Sequence, residues 1–380
     1  MSNFYEFFSG GGMVRAGLGD AWKCVFANDF DRKKGRTYEA NWGAGPLKVD
    51  DVRNVTTDDL PGTADLAWAS FPCQDLSLAG GGAGLAGDRS GTFWPFWSLM
   101  TDLVDEGRGP TIITLENVVG TLSSHDGKDF ATICKAFRDI GYRCGAVVMD
   151  AVYFLPQSRA RLFVVAIHED VELPEDVVGE PHEIWHPATL RRAYSSLPKV
   201  DQKNWIWWNL PTPTPCPLRF ADLVEDDPDS VEWHSPDETR ALLDMMNDRH
   251  LGKVKDAMKM GRRMVGTVYK RTRRDKHGRK VQRAEIRFDD VAGCLRTPAG
   301  GSSRQLLVVV DGKKVRSRLI STRETARLMG LPDSYTLPEG YNEAYHLTGD
   351  GVVVPVVRYL AEHVLEPVIE AVEERQELAA

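Results

Sequence analysis

"NFYEFFSGGGMVRAGLGDAWKCVFANDFD", residues 3–31, decides the fold class. The opening "NFYEFF" (3–8) is an apolar run that fits a strand, "SGGG" is a glycine turn, "MVRAGLGDAW" is helix-like, and "KCVFAND" (23–29) is a second strand ending in an acid. Strand, glycine turn and helix in that order bring backbone close to a ligand and aim helix N–H groups at it. Asp29, about 20 residues beyond the turn, is placed to accept hydrogen bonds from both hydroxyls of a ribose. "GGGMVR" is not GxGxxG, because Arg15 stands where the last glycine belongs. The stretch is therefore open to two readings, a site for a nucleoside-bearing cofactor without a required pyrophosphate, or a structural turn.

The pattern continues outward. "ADLAWASF" (64–71), "TIITLEN" (111–117), "CGAVVMDAV" (144–152) and "RLFVVAIH" (161–168) read as further strands, with "FATICKAFRDI" (130–140) as an amphipathic helix. Alternating strands and helices imply an α/β fold with a parallel, doubly wound sheet. After His168 the chain turns acidic and proline-punctuated, and "NWIWWNLPTPTPCP" (204–217) is aromatic, suited either to core packing or to stacking on bases. These shifts divide the chain into a cofactor-binding domain (1–185), a second, smaller domain (186–316), a hinge segment (317–342) and a C-terminal helix (343–380) returning to the first domain. "STRETARLMGLP" has a helix N-cap at Ser321 or Thr322 and a stop at Gly330, and the terminal "QELAA" is expected to fray.

A chain of 380 residues with 42% apolar and 27% charged residues is an ordinary globular protein. No signal-peptide pattern opens it and no apolar run approaches a membrane span, so the expected location is the cytoplasm. Six scattered cysteines without a CxxC pair argue against a disulfide framework and a zinc cage. The net charge is −8, yet Lys253–Arg283 carries six Lys and seven Arg against two Asp. That local excess fits a phosphate backbone, or a solvated surface segment.

Two motif matches carry little. "GAGLAG" (82–87) matches GxGxxG without a strand before it or a helix after it, and "HEIWH" (182–186) matches a zinc-protease pattern but lies between Pro181 and Pro187. "SFPCQDLS" (70–77) is more informative. Cys73 follows an apolar strand, which puts it at the carboxyl edge of the sheet, where it is either buried or a nucleophile. "LEN" brings Glu116 to the same edge, and "PQSRARLF" (156–163) supplies Arg159 and Arg161. A cysteine, a carboxyl group and two arginines facing one crevice suit covalent catalysis.

These stretches together resemble the DNA (cytosine-5) methyltransferases. "FFSGGGMVRAGL", "ANDFD", "DDVRNV", "FPCQDLS", "GDRSGTFW", "LENV", "PQSRARLFVVA", "STRETARLMGLPD" and "LTGDGVVVPVV" match that family's motifs in order. The resemblance implies a Rossmann-like sheet and S-adenosylmethionine as cofactor, with S-adenosylhomocysteine as product. Phe8, Gly10 and Gly12 would line the cofactor site, Asp29 would hold the ribose, Phe30 would pack on the adenine, and Asp51 would meet its amino group. Phe93, Asp350 and Val352 would complete that pocket. Cys73 would be the nucleophile, Glu116 the partner of the base ring, and Arg159 and Arg161 supports for the reacting base; Pro72, Gln74, Ser77, Asn117 and Gln157 would surround it. Glu6, Met13 and Asp350 depart from the usual Asp, Gly and Asn of the family.

By the same resemblance 186–316 is a target-recognition domain for double-stranded DNA, with Arg271, Arg273, Arg274, Arg296 and Thr297 as candidate contacts. The target base must leave the duplex stack, and the glycine-rich stretch 80–91 is suited to close over it. A monomer with a possible cognate restriction endonuclease is the expected setting, with no membrane and no metal. The competing readings are an RNA cytosine-5 methyltransferase, and a catalytically silent DNA-binding protein on the same scaffold. A nicotinamide-dependent dehydrogenase is disfavoured by the broken glycine fingerprint.

Overall fold

Why the N-terminal half can hold a site at one edge is clear from the order of its strands. The computed structural model describes residues 1–72, 92–275, 277–296 and 304–379. The chain divides into two units, one of Met1–Asp150, Ala160–Pro213 and Val354–Ala380, the other of Ala151–Arg159 and Thr214–Val353. In the first unit the order is β1 (Ser2–Phe7), α1 (Met13–Leu18), β2 (Trp22–Asp29), α2 (Arg32–Trp42), β3 (Leu47–Val49), β4 (Leu66–Ala69), α3 (Phe93–Asp105), β5 (Ile112–Val118), α4 (Lys128–Asp139), β6 (Tyr142–Asp150) and β7 (Ala160–His168), then α5 (Ala188–Ser195), α6 (Lys199–Lys203) and β8 (Trp205–Ile206). Among the described residues these strands form an eight-stranded sheet in the order β3-β2-β1-β4-β5-β7-β6-β8.

The doubly wound arrangement expected from the alternation is present, but the sheet is not wholly parallel. β7 runs antiparallel to both β5 and β6. Only residues 151–159 join β6 to β7, too few for the crossover that a parallel pair needs. β7 therefore inserts between β5 and β6 in the reverse sense. On one face, Tyr5, Phe7 and Phe26 meet Phe96 and Met100 of α3, all nearly inaccessible to water; burial of such side chains contributes roughly 1.5–3 kcal/mol each.

In the second unit come α7 (Phe220–Leu223), α8 (Pro236–Asp244), α9 (Asp248–Lys259), β9 (Met264–Arg274), β10 (Lys280–Arg287), β11 (Leu306–Asp311), β12 (Lys314–Leu319), α10 (Thr322–Arg327) and α11 (Tyr341–Asp350). The strands make an antiparallel sheet in the order β10-β9-β11-β12. One face packs Val268, Ala284, Ile286, Leu306 and Val308 on Leu242, Val254 and Ala257 of α8 and α9. β11 pairs with β9 only from Met264 to Val268, whereas β10 pairs with β9 as far as Arg274. The outer part of β9–β10 is thus a two-stranded ribbon, and Arg271–Arg274 are all exposed. Ser321 caps α10 through a capping box with Glu324, as the sequence indicates, and Gly330 has φ 80°.

The chain then returns to the first unit as α12 (Val354–Leu360), a π turn (Ala361–Leu365) and α13 (Glu366–Ala379). Pro367 lacks the N–H that an unbroken α ladder would use, and the π turn precedes it. The helix runs on through the "QELA" expected to fray. Gly17 of α1 is required here, since a Cβ would lie 2.4 Å from Val357. Trp205 packs with Phe130, Tyr194 and Trp207, and Trp208 is fully buried, so the aromatic stretch is core of the first unit. "HEIWH" is a turn in which the His186 ring accepts from the His182 N–H. Among the described residues no helix is long and apolar enough to cross a membrane.

Candidate active site and nucleic-acid face

The carboxyl ends of β1, β2, β4 and β5 lie along one edge of the first unit's sheet, and the site is built from what each strand releases there. Phe8, immediately after β1, has a left-handed φ of 58°; for a bulky residue this stores about 1–3 kcal/mol of strain. Gly10 and Gly12 are also left-handed, with φ of 55° and 77°. A Cβ on Gly12 would come within 2.4 Å of the Trp42 indole, whose N–H donates to the Gly11 carbonyl. A Cβ on Gly10 would meet nothing within 4 Å, so its side of the turn is open.

Asp29, at the end of β2, is buried and braces this turn. Its Oδ2 accepts from the Gly10 N–H at 2.8 Å and its Oδ1 from the Asp31 N–H at 2.8 Å. Burial raises its pKa, against the pull of Lys34 and these two amides. Next to it Phe30 is 69% exposed, an unusual position for a phenylalanine. Among the described residues the buried Ser9 hydroxyl has no hydrogen-bond partner. An open glycine cradle, an orphaned buried hydroxyl, a buried acid and an exposed ring fit a nucleoside-bearing cofactor. Glu6, the departure from Asp, is buried behind the turn beside Val14 and Arg15, and burial pushes its pKa up to about 8.

Asp51 lies beyond β3, with both carboxylate oxygens engaged by Arg53 at 2.9 and 2.6 Å. That contact holds its pKa below the usual range. Phe93, at the start of α3, is fully buried between Phe71 and Trp97. Asp350 and Val352 belong to the second unit, Asp350 exposed at the end of α11 and Val352 buried.

At the reacting end, Glu116 is 6% exposed and Arg161 Nε lies 3.2 Å from its Oε1. The reversed sense of β7 makes this possible. In a parallel strand a residue at the start would sit at the opposite edge; in β7 Arg161 pairs with Val118 and Phe163 with Glu116. Asn117 Nδ2 donates to the Phe71 carbonyl at 3.2 Å, and its Oδ1 accepts from the Val118 N–H and the Thr121 hydroxyl. Asn117 thereby fastens the backbone immediately ahead of Pro72. Cys73, Gln74, Ser77, the stretch 80–91 and Thr297 lie outside the described residues.

Arg159 and Gln157 belong to the second unit. The Arg159 guanidinium donates to the carbonyls of Leu295, Gly349 and Gly351 and to the Cys294 sulfur. Gln157 donates to the Leu328 carbonyl and accepts from the Leu295 N–H. Both side chains are buried, and these contacts join segments far apart in sequence.

A second cluster forms on the β9–β10 ribbon. Strand residues alternate between faces, and opposed residues share a face. Arg271 opposes Arg283, and Tyr269 opposes Glu285, on the face away from the α8–α9 core, whereas Arg274 opposes Lys280 on the other face. The Tyr269 ring has Arg271 and Arg296 within cation–π range at 5.6 and 5.9 Å. The structure thus brings Arg271, Arg273 and Arg296 to one face and turns Arg274 from it. Glu285, Tyr269 and Ser9 carry no motif signal, and Arg283 enters only as the end of the basic run; the period-two alternation across 269–273 and 281–285 is the available signal for all but Ser9.

The sheet, with its glycine turn and acids along one edge, defines an α/β protein with a Rossmann-like fold. Solved structures share the fold: S. pombe Dnmt2 methyltransferase (TM-score 0.60, 19% identity, 97% of this chain and 99% of that one) and the Entamoeba histolytica methyltransferase EhMeth (TM-score 0.61, 14% identity, 96% and 98%). Relatives by sequence include the Type II methyltransferases M.DsaV of Dactylococcopsis salina, 26% identical over 95% of this chain and 85% of that protein, and M.HhaI of Haemophilus parahaemolyticus, 24% identical over 94% and 92%. The profile of the family described as C-5 cytosine-specific DNA methylase matches residues 2–366, and the chain belongs to that family. It is a DNA (cytosine-5-)methyltransferase.

Proposed function

We propose that the protein methylates C5 of a cytosine flipped out of a specific duplex DNA sequence, by covalent attack of Cys73 on C6, with S-adenosylmethionine as donor. The observation that carries this reading is the Glu116–Arg161 pair at 3.2 Å beside Asn117, whose amide grips the carbonyl of Phe71, two residues before Cys73. C5 of cytosine is a weak nucleophile. Addition of the Cys73 thiolate to C6 makes C5 an enamine carbon, which takes the methyl group as the donor's S–CH3 bond breaks and S-adenosylhomocysteine leaves; loss of the C5 proton to water then expels the thiolate. Glu116 faces N3 and the exocyclic amine and stabilises the charge developing on the ring. Arg161 orients Glu116, and Arg159 and Gln157 support the base pocket through the backbone they hold.

When bound, the cofactor supplies an electrophilic methyl on a sulfonium. Phe8, Gly10 and Gly12 line its site, Asp29 holds the ribose, Phe30 covers the adenine and Asp51 accepts from its amino group, sharing its oxygens with Arg53. Phe93 is assigned to the same pocket, and Pro72, Gln74 and Ser77 to the base pocket. Arg271, Arg273, Arg296 and Thr297 contact DNA from the part of 186–316 that lies in the second unit, with Arg274 on phosphate from the opposite face. The Type II names of the relatives support a modification enzyme paired with a restriction endonuclease.

Transfer of labelled methyl from S-adenosylmethionine to mixed genomic DNA tests the reading. Wild type labels DNA, and Cys73→Ser binds DNA without labelling it. Cofactor binding with no transfer to any duplex overturns it.

A further inference from the structure

Within the basic ribbon one acid is out of keeping with its surroundings. Glu285 lies on the arginine-bearing face of β9–β10, with its carboxylate between two guanidinium groups: Arg273 Nε is 2.6 Å from Oε1 and Arg271 Nε 3.4 Å from Oε2. The strand pairing explains the geometry. Glu285 opposes Tyr269, so Arg271 is one pleat and Arg273 two pleats further out on the same face, and both side chains reach back to a single carboxylate. The arginine side chains are 43% and 51% exposed, while that of Glu285 is 24% exposed. Its pKa is lowered, first by the Arg273 bond, so it is ionised at neutral pH.

An acid on a DNA-facing surface opposes phosphate binding, since each added negative charge weakens the counterion-release attraction. Its presence needs another reason, and the atoms it uses supply one. Each arginine is held through Nε, which leaves the two terminal nitrogens as the leading end of the side chain. An end-on pair of N–H donors matches O6 and N7 of guanine in the major groove, and a two-stranded ribbon is an element that groove admits. A long side chain held in one orientation loses less freedom on binding than a mobile one.

We propose that Glu285 is a specificity-determining positioning residue: it pre-orients Arg271 and Arg273 to read guanines, giving up general DNA affinity for discrimination. This rests on the proposed reading of the protein as a sequence-specific DNA methyltransferase. Glu285 acts through the arginines, so its loss relaxes the same base positions that they read.

The test is the spectrum of methylated sites on a duplex library with randomised sequence, read by bisulfite sequencing, for wild type, Glu285→Gln, Glu285→Ala, Arg271→Ala and Arg273→Ala. Both Glu285 variants are expected to lower the ratio of cognate to singly mismatched sites at least about 10-fold. The relaxation falls at the positions loosened by the arginine variants, while binding to non-cognate duplex tightens and becomes more salt-dependent. A ratio within twofold of wild type in both folded variants overturns the proposal. So does relaxation at a different position, which would mean that Glu285 reads a base itself. A wild-type protein that methylates no duplex removes the proposed function and this inference together; an active one with unchanged discrimination removes the inference alone.

Discussion

Replacing Arg161 by alanine tests the chemistry assigned to Glu116 without touching Glu116. At 3.2 Å, with an effective dielectric near 20, the pair interacts by about 5 kcal/mol. The side chains are 17% and 8% exposed, so water screens part of this. About 2–4 kcal/mol remains, in the range of the cost of breaking a buried ion pair. If Glu116 must hold its charge and orientation while charge develops on the base, that energy is lost from the transition state, and kcat falls about 30- to 900-fold. KM for cofactor changes little, because Asp29 and the glycine turn do not touch this pair. Arg161→Lys restores part of the loss, since the ammonium supplies the charge without the planar guanidinium. Single-turnover methyl transfer at saturating DNA and cofactor is the assay. An Arg161→Ala protein that is folded, binds both partners and transfers methyl within threefold of wild type would refute the assignment.

Three further outcomes follow from the geometry. Asn117→Ala leaves the buried Phe71 carbonyl without its donor, at a cost of about 1–3 kcal/mol; because that carbonyl lies just before Pro72 and Cys73, kcat should fall more than the urea midpoint would indicate. Glu6→Gln should flatten the dependence of stability on pH. With a folded-state pKa of about 8 against an ordinary 4.5, the folded protein keeps a proton that the unfolded chain releases, so wild-type stability falls as pH rises from 4.5 to 8. Urea midpoints at pH 6 and 8 should differ less in the variant. Glu324→Ala strands the fully buried Arg318, whose guanidinium meets Glu324 at 2.6 and 2.8 Å, and should destabilise the protein by about 3–5 kcal/mol by thermal or chemical denaturation.

The edge of the sheet was legible in sequence because local rules govern it. A glycine turn after an apolar run, Asp29 ending the next strand and Glu116 ending another can each be read from periodicity and punctuation alone. The reversed β7 was not legible, since its residues have the same apolar pattern in either direction; only the short 151–159 link hints at it, and its beginning falls in a stretch that resembles strand. Arg159 and Arg161 look equivalent in "SRAR", and on one strand they would share a face; Arg159 instead precedes β7 and donates to carbonyls 136 to 192 residues further along, while Arg161 pairs with Glu116. Such partners are set by tertiary packing and leave no local trace. Glu285 lies just beyond the basic run Lys253–Arg283, and its role depends on register with β9.

The central claim is that Cys73 bonds to C6 of the target cytosine. Duplex DNA carrying 5-fluorocytosine at the methylation site is the direct probe, because fluorine at C5 blocks the proton loss that would expel the thiolate. With S-adenosylmethionine present, wild type should form a denaturation-resistant adduct whose linked peptide contains Cys73, and Cys73→Ala should form none. An adduct formed by Cys73→Ala, or mapped to another residue, would contradict the account.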